Sequence, residues 1–158
     1  MTTRELQKED ASQVEAIYDL YWSGDFRENI SKRLNQFVEK SGDIVEQKFS
    51  YFVAEEDEEV LGVVGIRKCP THMLEYAKTS NPGEIYIIAV KKKGVGVGKL
   101  LTEEALSELR NSEYKEVVLY SGETHADSWG FYDHLGFEQV GSAVAPNGEQ
   151  GRIWRMIL

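Results

Sequence analysis

The 158-residue sequence contains a single cysteine, Cys69, so it can form no internal disulfide and no thiolate cluster for a metal. Its three histidines, His72, His125 and His134, fall at no metal-ligand spacing, and no metal site is expected. No apolar run approaches the roughly 18 residues a membrane span requires, which points to a soluble protein without a membrane partner. The opening MTTRELQKEDASQ lacks the basic stub and apolar stretch of a secretory signal. Together with the lone cysteine, this predicts a cytoplasmic location. Basic residues are few and scattered: 18 Lys and Arg stand against 27 Asp and Glu, a formal net charge of −9 with His neutral. That balance argues against a nucleic-acid partner, which needs a concentrated basic face, and favours the approach of a small cation. Repeats, low-complexity tracts and Pro- or Ser-rich linkers are also missing. Residues 1–158 are therefore read as one domain, of ordinary size for a single core.

Apolar periodicity supplies the elements. A short strand near Thr3 to Leu6 is followed by Val14, Ile17, Tyr18 and Tyr21 at helical spacing, with Asp10 as the expected N-cap. SGD at Ser23 to Asp25 breaks the chain, and Ile30, Leu34, Phe37 and Val38 mark a second helix. SYFVAEEDEEVLGVVGIRK reads as an antiparallel hairpin whose acidic tip, Glu55 to Glu59, is solvated. EIYIIAV, Glu84 to Val90, is apolar on both alternating faces, as a central strand covered on each side should be. Val97, Leu100, Leu101, Ala105 and Leu109 make a helical stripe. VVLY, a short helix ending at Gly136, and two closing strands complete the chain. The order predicts an α/β fold: a mixed, mostly antiparallel twisted sheet of about seven strands with four helices.

The informative stretch is VKKKGVGVGKLL, Val90 to Leu101, with Gly94, Gly96 and Gly98 at alternate positions. Strand, glycine-rich turn and helix together hold anions well: free N–H groups at the helix start point outward, and glycine lets a phosphate approach closely. The same glycines also suit a tight turn with positive φ. A Walker A loop is ruled out because Gly98-Lys99 is followed by Leu100 and Lys93 stands where the first glycine belongs. A dinucleotide fingerprint fails at Lys99, where its third glycine belongs.

A third pattern, Gln/Arg-x-x-Gly-x-Gly/Ala after a strand ending in Val, is nearly met from Lys93 onward. Here the sequence resembles the GNAT superfamily of acetyl-CoA-dependent N-acetyltransferases. FYDHLGF, Phe131 to Phe137, is similar to that family's second signature, and the resemblance extends over nearly the whole chain. Departures are Lys93, where the family usually has Gln or Arg, His125, where Asn is common, and Ser128, where Ala is common.

The resemblance implies acetyl-CoA as cosubstrate, held by Ala89, Val90, Lys93, Gly94, Val95, Gly96, Val97, Gly98 and Lys99. Its pyrophosphate would lie on the loop N–H groups and its pantetheine arm along the strand ending at Val90. Transfer to a primary amine by direct attack in a ternary complex needs an acid for the departing thiolate and a base for the ammonium. Tyr132, at the family's Phe-Tyr position, is the candidate acid; Glu84 is the candidate base, with His125 as a second. Tyr21, Trp22, Phe26 and His125 are candidates for the acceptor wall. A small amine or amino acid is the favoured acceptor, and a protein N-terminus or lysine the alternative. From other classes, a non-catalytic acyl-CoA sensor and a structural protein pairing through VVLY or the closing strands stay open. A homodimer is compatible with each. Cys69 is read as structural.

Overall fold

The computed structural model describes residues 1–158. The expected alternation becomes seven strands: β1 (Thr2–Glu5), β2 (Ser50–Glu56), β3 (Glu59–Lys68), β4 (Gly83–Val90), β5 (Glu116–Gly122), β6 (Glu138–Val144) and β7 (Gln150–Ile157). They form one sheet in the order β1-β2-β3-β4-β5-β7-β6, antiparallel except where β4 meets β5. The four α-helices are α1 (Ala11–Tyr18), α2 (Gly24–Glu39), α3 (Val97–Asn111) and α4 (Trp129–His134). This is the α/β architecture that the pattern predicts.

Each sheet face is sealed by the helix stripes. On one face Val97, Leu101, Ala105 and Leu109 of α3 pack with Phe52, Val64, Ile85, Leu119 and Trp154. On the other, Val14, Ile17 and Tyr18 of α1 and Ile30 and Leu34 of α2 pack with Tyr51, Val53, Val63, Ile87 and Ala89. The helix α3 lies close to β3 because Gly62 leaves room: a Cβ there would stand 2.9 Å from both Leu101 Cδ1 and Val97 Cγ1.

Three details differ from the sequence reading. Asp10 occupies the N-cap position of α1, but its side chain makes no capping bond there: its carboxylate accepts from the Gln7 N–H at 2.7 Å and from the Arg4 guanidinium at 2.7 and 2.8 Å. It thus closes the turn before the helix. The hairpin tip is narrower than Glu55 to Glu59, since only Asp57 and Glu58, with φ of 52° and 66°, lie between the strands. Two consecutive positive φ values are what a two-residue hairpin turn demands. VVLY is not an edge, because β5 lies between β4 and β7; β1 and β6 are the edges of the sheet.

Register explains how the sheet opens. Gly65 faces Ile87 while Ile66 faces Ile85, so Tyr86 is an extra residue, a bulge that bends β4. From there β4 follows β3 as far as the Gly62–Val90 pair. The strand β5 follows β7 over its whole length, Glu116 to Gly122. Between β4 and β5 only Gly83–Val117 and Glu84–Val118 pair. The two central strands therefore form a V, with its vertex at Glu84 and Val118 and its mouth beyond Val90 and Gly122.

Candidate active site

The V supplies backbone groups of β4, from Ile85 to Val90, that have no strand partner on the β5 side. A cofactor carrying amides could satisfy them as an added strand does. Glu84 lies at the vertex and Val90 at the mouth, six residues on, a span of about 20 Å at ~3.3 Å per residue.

The glycine loop follows at the mouth. Gly94 and Gly96 have φ of +79° and +87°, and a Cβ at either would meet nothing within 4 Å. Here glycine serves conformation and leaves an open surface over the loop. The first N–H of α3 to find a carbonyl at its start is Leu100, on Gly96 at 3.1 Å. The preceding N–H groups of Val97, Gly98 and Lys99 are therefore free donors, and the helix dipole adds partial positive charge there. A Cβ on Gly98 would stand 3.4 Å from Phe131 Cζ and 3.9 Å from Val90 Cγ1, which ties the helix start, β4 and α4 together. The loop fits a pyrophosphate.

The helix α4 covers the α3 face of the V. Tyr132 is buried against Phe131, Phe137 and Trp154, with ring centroids 5.4, 6.1 and 5.3 Å away. Burial pushes its phenol up to about 12, so it is protonated at neutral pH. Trp154 Nε1 donates to Asp133 at 2.9 Å and fixes α4 against β7.

Glu84 is buried at the vertex and not on a solvent-facing strand end. Arg67 Nε donates to its Oε1 at 2.6 Å, and Arg67 Nη1 donates to Gln47 at 3.2 Å. The same guanidinium lies 4.7 Å from the Tyr86 ring centre and 5.3 Å from that of Phe49. Burial pushes the Glu84 carboxyl up, and Arg67 opposes that rise without cancelling it.

The four acceptor-wall candidates come together at the mouth. Trp22 stands 5.6 Å from Tyr21, 5.7 Å from Phe26 and 5.7 Å from His125, and Tyr21 is 6.3 Å from His125. The Tyr21 hydroxyl donates to the Val90 carbonyl at 2.6 Å. His125, which follows β5, thus reaches across the mouth to the α1–α2 turn. Glu84 is not part of this group. Lys93 of the loop donates to Asp127 at 2.5 Å and lies 5.4 Å from the Tyr21 ring centre.

Cys69 is buried and its thiol is pushed up to about 12 by burial, so it is no thiolate nucleophile. No group of three or more His, Cys, Asp or Glu is placed to hold a metal ion. No helix is long and apolar enough to cross a membrane. The sequence reading missed Arg67, Asp127 and Glu116. A charge beside a strand end or turn reads as solvated, and only its distant partner gives it another role.

Residues 13–137 match the acetyltransferase (GNAT) family. The chain belongs to the GNAT acetyltransferase family. Acetyl-CoA is the acyl donor of GNAT acetyltransferases. The chain is 31% identical over 121 residues to the mycothiol acetyltransferase of Rhodococcus jostii, 75% of this chain and 37% of that protein. It is 33% identical over 105 residues to that of Acidothermus cellulolyticus, 60% of this chain and 31% of that protein. The matched regions thus make up about a third of those relatives. In fold, this GNAT chain is similar to Arabidopsis thaliana NAA60 in complex with acetyl-CoA: the TM-score is 0.76 at 13% identity, over 99% of this chain and 98% of that one. The ribosomal-protein-alanine N-acetyltransferase of Brucella melitensis has a TM-score of 0.73 at 19% identity, over all of both chains.

Proposed function

We propose that this GNAT chain transfers the acetyl group of acetyl-CoA to a primary amine, a small amine or amino acid, by direct attack while both substrates are bound. The observation that carries the reading is the two-residue pairing of β4 with β5, which opens a V between a phosphate-fitting loop and a buried phenol. Acetyl-CoA supplies an acyl group activated as a thioester.

The chain's own groups divide the remaining work. Val95, Gly96, Val97, Gly98 and Lys99 offer N–H groups, and Gly94 the turn, for the pyrophosphate, with Lys93 within reach of it. Ala89 and Val90 present strand backbone to the pantetheine amides. Tyr132 holds a proton at neutral pH and gives it to the thiolate sulfur. Glu84 is the base for an amine that passes the mouth of the V and reaches the vertex: burial raises its proton affinity, which is the direction a carboxylate base needs. Arg67 is its positioning residue, holding the carboxylate at the vertex. His125, at the mouth, is the other base within reach of an arriving amine. The aromatic wall of Tyr21, Trp22 and Phe26 presents ring faces, which attract an ammonium.

The test is a calorimetric titration with CoA, acetyl-CoA and NAD, then a screen of primary amines for thiol release from acetyl-CoA. Binding of both CoA species but not NAD, followed by amine-dependent thiol release, supports the reading. Folded protein that binds no CoA sinks it. CoA binding without turnover on any amine would favour a sensor.

A further inference from the structure

Beside the bulge of β4, on the sheet face covered by α1 and α2, the phenols of Tyr18, Tyr51 and Tyr86 are neighbours. Tyr18 and Tyr51 are fully buried, and the hydroxyl of each lacks a hydrogen-bond partner. Burial pushes all three phenols up, so each keeps its proton at neutral pH and has an O–H to donate. A buried hydroxyl with nothing to bond is costly, and native structures hold few of them.

Cations face the same phenols: Arg33 and Arg67 both act on Tyr51 and on Tyr86. Arg67 is already committed, since its guanidinium donates to Glu84 and to Gln47. Arg33 is not. It lies 5.5 Å from the Phe49 ring centre, against 5.3 Å for Arg67, and makes no ion pair, whereas Arg27, the other arginine of α2, is paired with Glu15 and Asp19. The cluster thus sets two guanidinium groups and three O–H donors against one carboxylate, Glu84, in a chain whose formal net charge is −9. Arg33 and Tyr86 are half-buried, so a ligand on them needs no opening of the core.

We infer that this cluster recognises a carboxylate on the acceptor, so that the amine acetylated is an amino acid, selected by Arg33 and the Tyr51 hydroxyl. This rests on the acetyltransferase reading above and narrows it. Arg67 joins the two ends of the site: its guanidinium borders Glu84, the proposed base, and also Phe49, whose ring Arg33 borders as well. An amino acid spans that interval with its ammonium toward Glu84 and its carboxylate toward Arg33 and Tyr51. A plain amine leaves the Arg33 guanidinium and the buried phenols unanswered. A site built to bond one polar group discriminates strongly against ligands that lack it.

The experiment measures thiol release from acetyl-CoA with α-, β- and γ-amino acids, each beside its amide, and with plain alkylamines. In the wild type kcat/KM for the best amino acid should exceed that for its amide by about tenfold or more, and Arg33→Gln should shrink that ratio by about as much. Tyr51→Phe separates binding from packing. Removing an unpartnered hydroxyl should leave the urea midpoint unchanged or higher, while the KM for the amino acid rises about three- to tenfold. A wild type that takes amides or alkylamines as readily as the acids overturns the inference, as does an Arg33→Gln variant that loses acid and amide activity alike. A destabilised Tyr51→Phe with an unchanged KM overturns it too, and so does thiol release with no amino acid from protein that binds CoA. Failure of the wild type to bind CoA at all would instead overturn the acetyltransferase reading. Circular dichroism verifies that the variants fold.

Discussion

The Tyr21 hydroxyl donates to the Val90 carbonyl at 2.6 Å, joining the turn between α1 and α2 to the end of β4. These residues are far apart in sequence, and the bond sets one wall of the cleft mouth. Tyr21→Phe keeps the ring and removes only this tie, so stability should fall by about 1 kcal/mol, the net worth of one such bond. Tyr21→Ala also removes the ring face, and the KM for an amine substrate should rise about five- to tenfold with a smaller change in kcat. Urea unfolding and steady-state kinetics separate the two effects. An unchanged amine KM in Tyr21→Ala would remove Tyr21 from the acceptor wall.

Gly96 starts α3 with φ of +87°, a conformation that disfavours any Cβ and most of all a branched one. Gly96→Val should therefore redirect the N–H groups of Val97 and Gly98 and weaken CoA binding by about tenfold or more, at a local cost of about 1–2 kcal/mol. The space around Gly96 is open, so the loss would come from backbone conformation and not from a clash. Calorimetry on folded variant protein decides the matter. Undiminished CoA affinity would mean that the loop is only a turn.

Tyr132→Phe tests the proposed proton donor. The ring packs against Phe137 and Trp154 and stays in place without its hydroxyl. Loss of a general acid predicts a fall in kcat of about 100-fold, with CoA affinity held. Wild-type kcat should also decline as pH rises toward the phenol's value of about 12, because a phenolate has no proton to give. A phenylalanine variant with full activity would make Tyr132 a core aromatic and nothing more.

How much of this was legible beforehand depended on range. The stripes Val14, Ile17, Tyr18 and Val97, Leu101, Ala105, Leu109 announce helices because a helix face is a local property, and each lies buried on the sheet. The glycines of VKKKGVGVGKLL are legible for the same reason: positive φ leaves its mark on the residue itself. The bulge at Tyr86 leaves none, since it arises where β3 and β4 differ in length along their shared register. Arg67 and Glu84 are 17 residues apart, and neither residue alone says that the other neutralises it. The aromatic wall was half visible: its residue types suit a pocket, but only the crossing from β5 brings His125 to Tyr21 and Trp22.

The proposed role of Glu84 as base has a pH signature. Burial raises its carboxyl pKa, and the base works only when deprotonated, so kcat/KM should climb as pH increases through that raised value. Glu84→Gln removes that rise and should lower kcat by about 100-fold. His125→Ala, at the mouth, should leave the acid limb in place if Glu84 carries it. Loss of the limb in His125→Ala and its retention in Glu84→Gln would transfer the role to His125.

Glu116 ties the chain down beside the vertex of the V. It is fully buried, and its carboxylate accepts the Lys78 N–H on both oxygens at 2.9 Å, and the Thr79 N–H and Oγ1 at 2.8 Å on Oε1. Segment 78–82 leads directly into β4, and Gly83 pairs with Val117, the residue after Glu116. One carboxylate thus anchors the chain just before the two central strands meet and part. Glu116→Ala strips two N–H groups of a charged acceptor and empties a buried volume, for a loss of about 3 kcal/mol. Glu116→Gln keeps the shape but sets an amide NH₂ among donors, and should lose about half as much. Urea midpoints rank the variants, and hydrogen exchange at Ile85 and Val118 locates the effect. Faster exchange there than in α2 would place the loosening at the vertex, whereas a stability change under about 0.5 kcal/mol would mean that the pairing of β4 with β5 stands without Glu116.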